Sequence, residues 1–318
     1  MKINIYISAL RNEIFDFINF KQSQGYAYSF GSRGIKYFDR FLKDKEYKEP
    51  ILTSQLINEY IAYLSKYGAM TRHNRFSVVK EFSAYLKIFK PRSHLIAKNL
   101  FRKPPRRRAY IFTDMEICKL LNAAKARKGK HASYGITNYT ITGLLAFTGI
   151  RISECLSLNI HDWNDKESLL FIEKGKFGKD RIIPVLPSVK QKLNEFILER
   201  CKYMGREDDK PLFINKNGKR VRDYDFRRFF NGLLIQLQIK KNCSIDGRKP
   251  IIHSLRHTFA VKNILNWLKS GENMDMLPHL STYMGHISLS STQIYLQSVK
   301  EMKTISSEKF YSLFKNNI

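Results

Sequence analysis

The sequence predicts a mainly α protein with a small β-sheet, divided into an all-α N-terminal domain and a larger α+β C-terminal domain. Three observations carry that expectation. Apolar residues recur at helical spacing through residues 4–89 without strand-like alternation. The stretch 163–185 instead shows two apolar runs around a glycine-containing turn. Between them, Pro104 and Pro105 forbid helix and favour an extended connector. With 318 residues, 43% of them apolar, the chain can build about two domains with real cores.

In order, residues 4–23 place Ile7, Leu10, Ile14, Phe17 and Ile18 on one helical face, and Gly25 ends the run. A second helix spans 28–43 through Ile35, Phe38 and Leu42. Thr53 caps a third, carrying Leu56, Tyr60, Ile61 and Leu64, and a fourth runs from about Thr71 to Phe89 before Pro91. These four helices make a domain over 1–98, whose aromatic residues are expected in its core. Residues 99–110 form a basic connector, and 111–318 form the second domain. That domain opens with Thr113 and Glu116 spaced as a capping box, with helices continuing to about Phe147. After the hairpin, helices are expected at 188–203, 223–238, 254–269, 274–284 and, as a tail, within 304–318.

Composition bounds the partner. Lysine and arginine number 56 against 28 aspartates and glutamates, a net charge of +28. Such an excess favours a polyanion. The longest apolar run, around Ile141–Ile150, falls well short of the ~20 residues a membrane span needs, and the N-terminus lacks a signal-peptide core. Nucleic acid is therefore the expected partner, and no membrane. The connector's Arg102, Lys103, Arg106, Arg107 and Arg108 suit phosphate contact, against the alternative of a merely solvated hinge. Cys118, Cys155, Cys201 and Cys243 include no Cys-x-x-Cys pair and read as reduced, mostly buried thiols in the cytoplasm.

The chemistry concentrates in the second domain. Thr148-Gly-Ile-Arg151-Ile-Ser-Glu154, His253-Ser-Leu-Arg256 and Met284-Gly-His286 precede Tyr295 in Thr-Gln-Ile-Tyr. Arginines offer a permanent planar charge matched to phosphate oxygens, and tyrosine offers an oxygen nucleophile. Phosphoryl transfer needs the charge on those oxygens neutralised. No carboxylate cluster has metal-ligand spacing, so no cofactor and no metal are expected. Arg151 and Arg256 would clamp the phosphate, with His286 as a third donor. A structural alternative for Arg151 is an ion pair with Glu154. A phenol with a pKa of about 10 needs a base, for which His253 is the candidate.

In these motifs the chain resembles the tyrosine recombinases, the integrase group that includes the Cre and Xer enzymes. The resemblance covers the whole chain in layout and residues 110–300 in motif. It implies a helical, SAM-like core-binding domain and a catalytic domain closing around duplex DNA as a clamp. It implies Arg151, Lys176, His253, Arg256, His286 and the nucleophile Tyr295 as catalytic residues, with Glu154 supporting them without touching DNA. Lys176 follows from counting back eight residues from Pro184, and Lys179 is its near rival; Lys179 and Arg181 are otherwise expected at DNA. The resemblance further implies a 3′-phosphotyrosyl intermediate, a homo-oligomeric, tetrameric synapse on recombination sites, and nucleoid-associated action, with accessory proteins left open. The thirty residues between Arg256 and His286 look more like transposon-associated members than Xer-type ones. The rivals are a type IB topoisomerase or telomere resolvase, and a non-catalytic DNA-binding regulator of the same fold.

Other residues are read as structural. His253 and His257 stand at i,i+4, but Ser254 replaces the glutamate a zinc protease would need, so His257 is expected to pack or to touch phosphate. Gly175-x-x-Gly178-Lys179 lacks the spacing of a phosphate loop, and Tyr283 and Tyr311 are expected in the core. Phe310, Leu313 and Phe314 form an apolar stripe on the tail that must be covered, either by its own catalytic domain or, as the resemblance implies, by a neighbouring subunit.

Overall fold

The computed structural model describes residues 6–25, 27–105, 107–127, 133–173, 180–204, 210–244, 247–270, 276–286, 292–296 and 298–299. The chain divides into two compact units, 1–106 and 107–318. The expected tail helix and the glycine-containing hairpin turn lie outside the described residues.

In the first unit α1 (Arg11–Ser23), α2 (Ser29–Asp44), α3 (Ser54–Leu64) and α4 (Ala69–Phe89) follow the apolar periodicity. The first helix starts later than its pattern suggests, for a local reason. The buried Asp39 carboxylate accepts the Ile7 and Ser8 amides at 3.0 Å each, and Ser8 Oγ accepts the Leu10 amide at 3.3 Å. These bonds compete with helix formation. Ile7, expected in the core, is consequently 48% exposed. Thr53 caps α3 by accepting the Leu56 amide at 3.1 Å. Phe17, Phe38, Phe41, Tyr60, Phe76 and Phe82 are fully buried. Each such side chain contributes about 1.5–3 kcal/mol by leaving water.

The connector's ends belong to the units they adjoin. Asn99 Nδ2 donates to the His73 carbonyl at 3.0 Å and to Ser77 Oγ at 2.9 Å, and Phe101 packs edge-on against Phe76. At the other end Tyr110 is buried in the second core and donates to Glu116. Arg102, Lys103 and Arg107 are exposed, and Arg108 is half-buried. Arg106 lies outside the described residues.

The second unit begins with α5 (Asp114–Ala126), entered through the expected Thr113–Glu116 capping box. Then come α6 (Ser133–Thr148), α7 (Ile152–Ser157), the strands β1 (Trp163–Asn164), β2 (Leu169–Ile172) and β3 (Arg181–Pro184), and α8 (Pro187–Met204). After these follow α9 (Asp223–Gln236), a 3-10 turn at Ile239–Lys241, α10 (Ile252–Lys269) and α11 (Leu277–Tyr283); residues 292–296 are again helical. The sheet is antiparallel in the order β1-β2-β3, with Phe171 opposite Ile182. Two-residue β1 is too short to show alternation, so the sequence suggested only a hairpin. Leu170, Ile172 and Ile183 enter the main core. A smaller cluster joins Val261 and Ile264 of α10 to Leu280 of α11, Met284 and Tyr295. It is this packing that carries Tyr295 to α10.

Cys155 alone among the four cysteines is buried; Cys118 and Cys243 are exposed, correcting the expectation of mostly buried thiols. Cys118 lies on the solvent-facing side of α5, and Cys243 follows the 3-10 turn at Ile239–Lys241. Among the described residues, no helix is long and apolar enough to cross a membrane.

Candidate active site

Four segments distant in sequence meet where α6 gives way to α7. Gly149 ends α6 at φ +62°, a backbone conformation that favours glycine, and Arg151 stands at the N-cap of α7. Glu154 folds back, its Oε2 accepting the Arg151 amide at 2.9 Å and its Oε1 accepting Arg151 Nη1 at 2.7 Å. The ion pair weighed for Arg151 thus forms, yet Arg151 also donates through Nη2 to the Gly285 carbonyl at 3.0 Å. It therefore joins the start of α7 to the turn before His286.

Arg256, on α10, is only 3% exposed. Its Nη1 donates to the Gly149 carbonyl at 2.6 Å, and its Nη2 donates to the Met284 carbonyl and to His286 Nε2, the latter at 3.2 Å. Burial and the nearby Arg151 lower its pKa to about 10, which leaves it charged at neutral pH. A guanidinium only donates, so His286 Nε2 must accept. The imidazole proton then sits on Nδ1, which donates to buried Thr292 Oγ1 at 2.8 Å. Burial, Arg256 and Arg151 hold His286 down to about 4, consistent with this neutral form. The residue expected as a third phosphate donor thus presents a lone pair to Arg256, not an N–H to the site.

Glu154 is the counter-charge. Burial raises its pKa, but hydrogen bonds from Arg181 and the Arg151 amide, with the Arg181 charge, win and hold it at about 2. Glu154, expected as a supporting residue, accepts from both Arg151 and Arg181. Expected at DNA, Arg181 is turned inward, its side chain 10% exposed and committed to Glu154 and the Tyr283 carbonyl. The physical reason is that the buried carboxylate needs a second cation, and β3 places Arg181 beside it. Lys176 and Lys179 lie outside the described residues.

Tyr295 is 4% exposed, and its ring lies 6.2 Å from that of His286. Burial raises its pKa, opposed by the charges of Arg256 and Arg151. Its hydroxyl lies 3.3 Å from His257 Nδ1. His253, the expected base, stands one turn earlier on α10, its ring 4.6 Å from that of His257 in an edge contact. Desolvation and the charges of Arg256 and Arg151 hold His253 below the usual histidine range; since the residue is exposed, the arginine charges carry that direction. Sequence reasoning treated His257 only as a packing residue or a phosphate contact. The signal was present: positions 253, 256 and 257 share one helical face. Tyr283 stacks on Phe259 at 5.5 Å, as a core residue does, and Tyr311 lies outside the described residues.

Among the described residues, one group of side chains with potential ligand atoms forms away from these residues in the sequence. His161, Asp162 and Glu173 bring ligand atoms within 4.8 Å of one another beside the β1–β2 pair. Asp162 already accepts the Asn159 amide at 2.7 Å, and His161 and Glu173 are exposed.

Fold and site define a class: a helical N-terminal unit joined to an α+β unit that gathers arginines, histidines and a tyrosine at one helix start. Residues 111–302 match the profile of the Phage integrase family, and the chain belongs to that family. Among its relatives, y4rB of Sinorhizobium fredii, described as an integrase/recombinase, is 27% identical over 302 residues, covering 93% of this chain and 95% of that protein. Tyrosine recombinase XerC of Thermodesulfovibrio yellowstonii is 35% identical over 159 residues, covering 49% of this chain and 48% of that protein. The fold matches the Tn1549 transposon integrase in complex with a circular intermediate DNA, with a TM-score of 0.65 at 18% identity, over 89% of this chain and 94% of that one.

Proposed function

We propose that this chain is a site-specific DNA recombinase that cuts and rejoins strands through a 3′-phosphotyrosyl intermediate on Tyr295, in the integration and excision of a mobile element. The observation that carries this is the convergence of Arg151, Arg256, His286 and Tyr295, from four segments, on the start of α7. A guanidinium has five donors. Among the described residues Arg151 uses two on Glu154 and Gly285, and Arg256 uses three on Gly149, Met284 and His286. Both are thereby fixed in orientation while keeping capacity for phosphate oxygens. Fixed donors aimed at developing charge need no reorganisation during reaction.

In the reaction, the Tyr295 hydroxyl gives up its proton to the base, for which His253 is the candidate, its oxygen attacks phosphorus, the P–O5′ bond breaks, and Lys176 delivers the proton that the 5′ oxygen takes up. The phosphotyrosyl bond conserves the energy, so a 5′-hydroxyl from another strand reverses the step. The basic composition and the exposed Arg102, Lys103 and Arg107 suit DNA backbone contact. Strand exchange between two duplexes calls for a tetrameric synapse of this chain, acting on cytoplasmic, nucleoid-associated DNA.

A nicked duplex carrying a recombination site of the element tests this reading. The nick lets the short 5′-hydroxyl fragment diffuse away and traps the cleaved state. An SDS-resistant adduct at the site, absent on unrelated duplexes, is expected. Adducts on any supercoiled or random duplex would indicate a topoisomerase, and none on any DNA would indicate a regulator.

A further inference from the structure

Tyr295 carries the one hydroxyl on which the proposed reaction turns, and it is buried. A buried phenolic O–H needs a partner. Among the described residues that partner is His257, whose Nδ1 lies 3.3 Å away, with the two rings 5.5 Å apart and tilted 59°. His257 belongs to α10, one residue beyond Arg256 and one turn beyond His253. The same helix that supplies the phosphate-clamping Arg256 therefore also supplies the contact to the nucleophile. Burial and the charges of His253 and Arg248 keep His257 neutral, down at about 3, so one ring nitrogen offers a lone pair.

We infer that His257 is a positioning residue, accepting the Tyr295 hydroxyl's hydrogen bond at Nδ1 and thereby aiming the phenolic oxygen at the phosphate held by Arg151 and Arg256. This rests on the assignment of Tyr295 as nucleophile. A phenolic hydrogen held by His257 lies in the ring plane on one side, which leaves the oxygen's lone pairs directed away from α10. Without the acceptor the hydroxyl can rotate and the side chain can shift. A displacement of about 1 Å at a reacting atom is enough to cost roughly a hundredfold in rate.

Three substitutions separate aiming from packing. His257→Phe keeps a ring but removes the acceptor, His257→Asn places an amide oxygen close to where Nδ1 stood, and His257→Gln places it near Nε2. Single-turnover cleavage of the nicked duplex is measured beside DNA affinity and Tm, with Tyr295→Phe as reference. The expected result is a roughly hundredfold slower cleavage in His257→Phe, at wild-type DNA affinity, with His257→Asn recovering most of the rate and His257→Gln recovering little. Unchanged or faster cleavage in His257→Phe overturns the inference, as does equal impairment of the Asn and Gln variants. Should His257→Phe fail to fold, the Asn–Gln comparison alone decides. If Tyr295→Phe abolishes the adduct while the His257 series is flat, only this inference falls. If Tyr295→Phe still forms adducts, the nucleophile assignment falls and this inference with it.

Discussion

Arg181 and Glu154 form a two-pronged ion pair, Nη1 to Oε1 at 3.0 Å and Nη2 to Oε2 at 2.7 Å. The third Arg181 nitrogen, Nε, donates to the Tyr283 carbonyl at 2.9 Å. The next two carbonyls, of Met284 and Gly285, are taken by Arg256 and Arg151. Three arginines from β3, α10 and the start of α7 therefore hold three consecutive carbonyls immediately before His286. The turn is fixed by cations that Glu154 in part neutralises. Gly285, at φ +61°, leaves room for them: a Cβ there would come within 3.1 Å of Arg181 Nη1.

Removing Arg181 leaves the buried Glu154 with Arg151 alone, and removing Glu154 leaves both arginines without their shared carboxylate, a loss of up to about 3–5 kcal/mol. Arg181→Ala and Glu154→Gln should each lose about that much, and the double variant less than the sum of the two. Urea unfolding of the four proteins measures the coupling. Strictly additive losses would show that the two residues act independently.

The same pair makes stability depend on pH with a definite sign. The Glu154 pKa is depressed from an ordinary 4.5 to about 2. The unfolded chain therefore binds the proton more readily, and the stabilisation is complete above pH 4.5 and lost as pH falls towards 2. Its size is on the order of 3 kcal/mol. The Tm advantage of wild type over Glu154→Gln should be constant from pH 7 to 5 and narrow below that. An advantage that grows on acidification would contradict the pairing.

Gly149→Ala should be costly for two reasons at once. Its φ of +62° strains any side chain, and a Cβ would stand 2.5 Å from Phe259 Cδ1. Backbone strain alone costs about 1–3 kcal/mol, and any shift moves the carbonyl that anchors Arg256. Gly68→Ala, where a Cβ meets nothing within 4 Å, is the control. Thermal unfolding should show a marked drop for position 149 and little for position 68; equal effects would remove the argument.

Much of this was legible in the sequence because periodicity and caps are local. The four N-terminal helices, the Thr113 cap and the strands β2 and β3 follow from spacing, and Arg151, Glu154, Arg256 and His286 from short motifs. What was not legible depends on partners far along the chain. Asp39 delays α1 from 32 residues away. Arg181 turns inward because Glu154, 27 residues earlier, is buried beside it. His257 meets Tyr295 across 38 residues. Each is a polar side chain satisfied by a non-local group, which no hydrophobic pattern records.

Lys176, assigned by its distance from Pro184, is proposed to protonate the leaving 5′ oxygen. Lys176→Ala should cleave an ordinary duplex poorly but recover on a duplex with sulfur at the 5′-bridging position, because a thiolate leaves without a proton. Rates on the two substrates decide it. Rescue of Lys179→Ala, with none for Lys176→Ala, would move the role to Lys179.

Tyr295, packed with Val261 and Ile264 of α10, is proposed as the residue that becomes joined to DNA. The most direct measurement traps the adduct on the nicked duplex, digests protein and DNA, and identifies by mass spectrometry the tyrosine carrying the residual nucleotide. The account predicts the nucleotide on Tyr295, linked through its 3′-phosphate, and no adduct from Tyr295→Phe at undiminished DNA affinity. A nucleotide found on Tyr283, Tyr311 or any other residue, or a normal adduct yield from Tyr295→Phe, would contradict it.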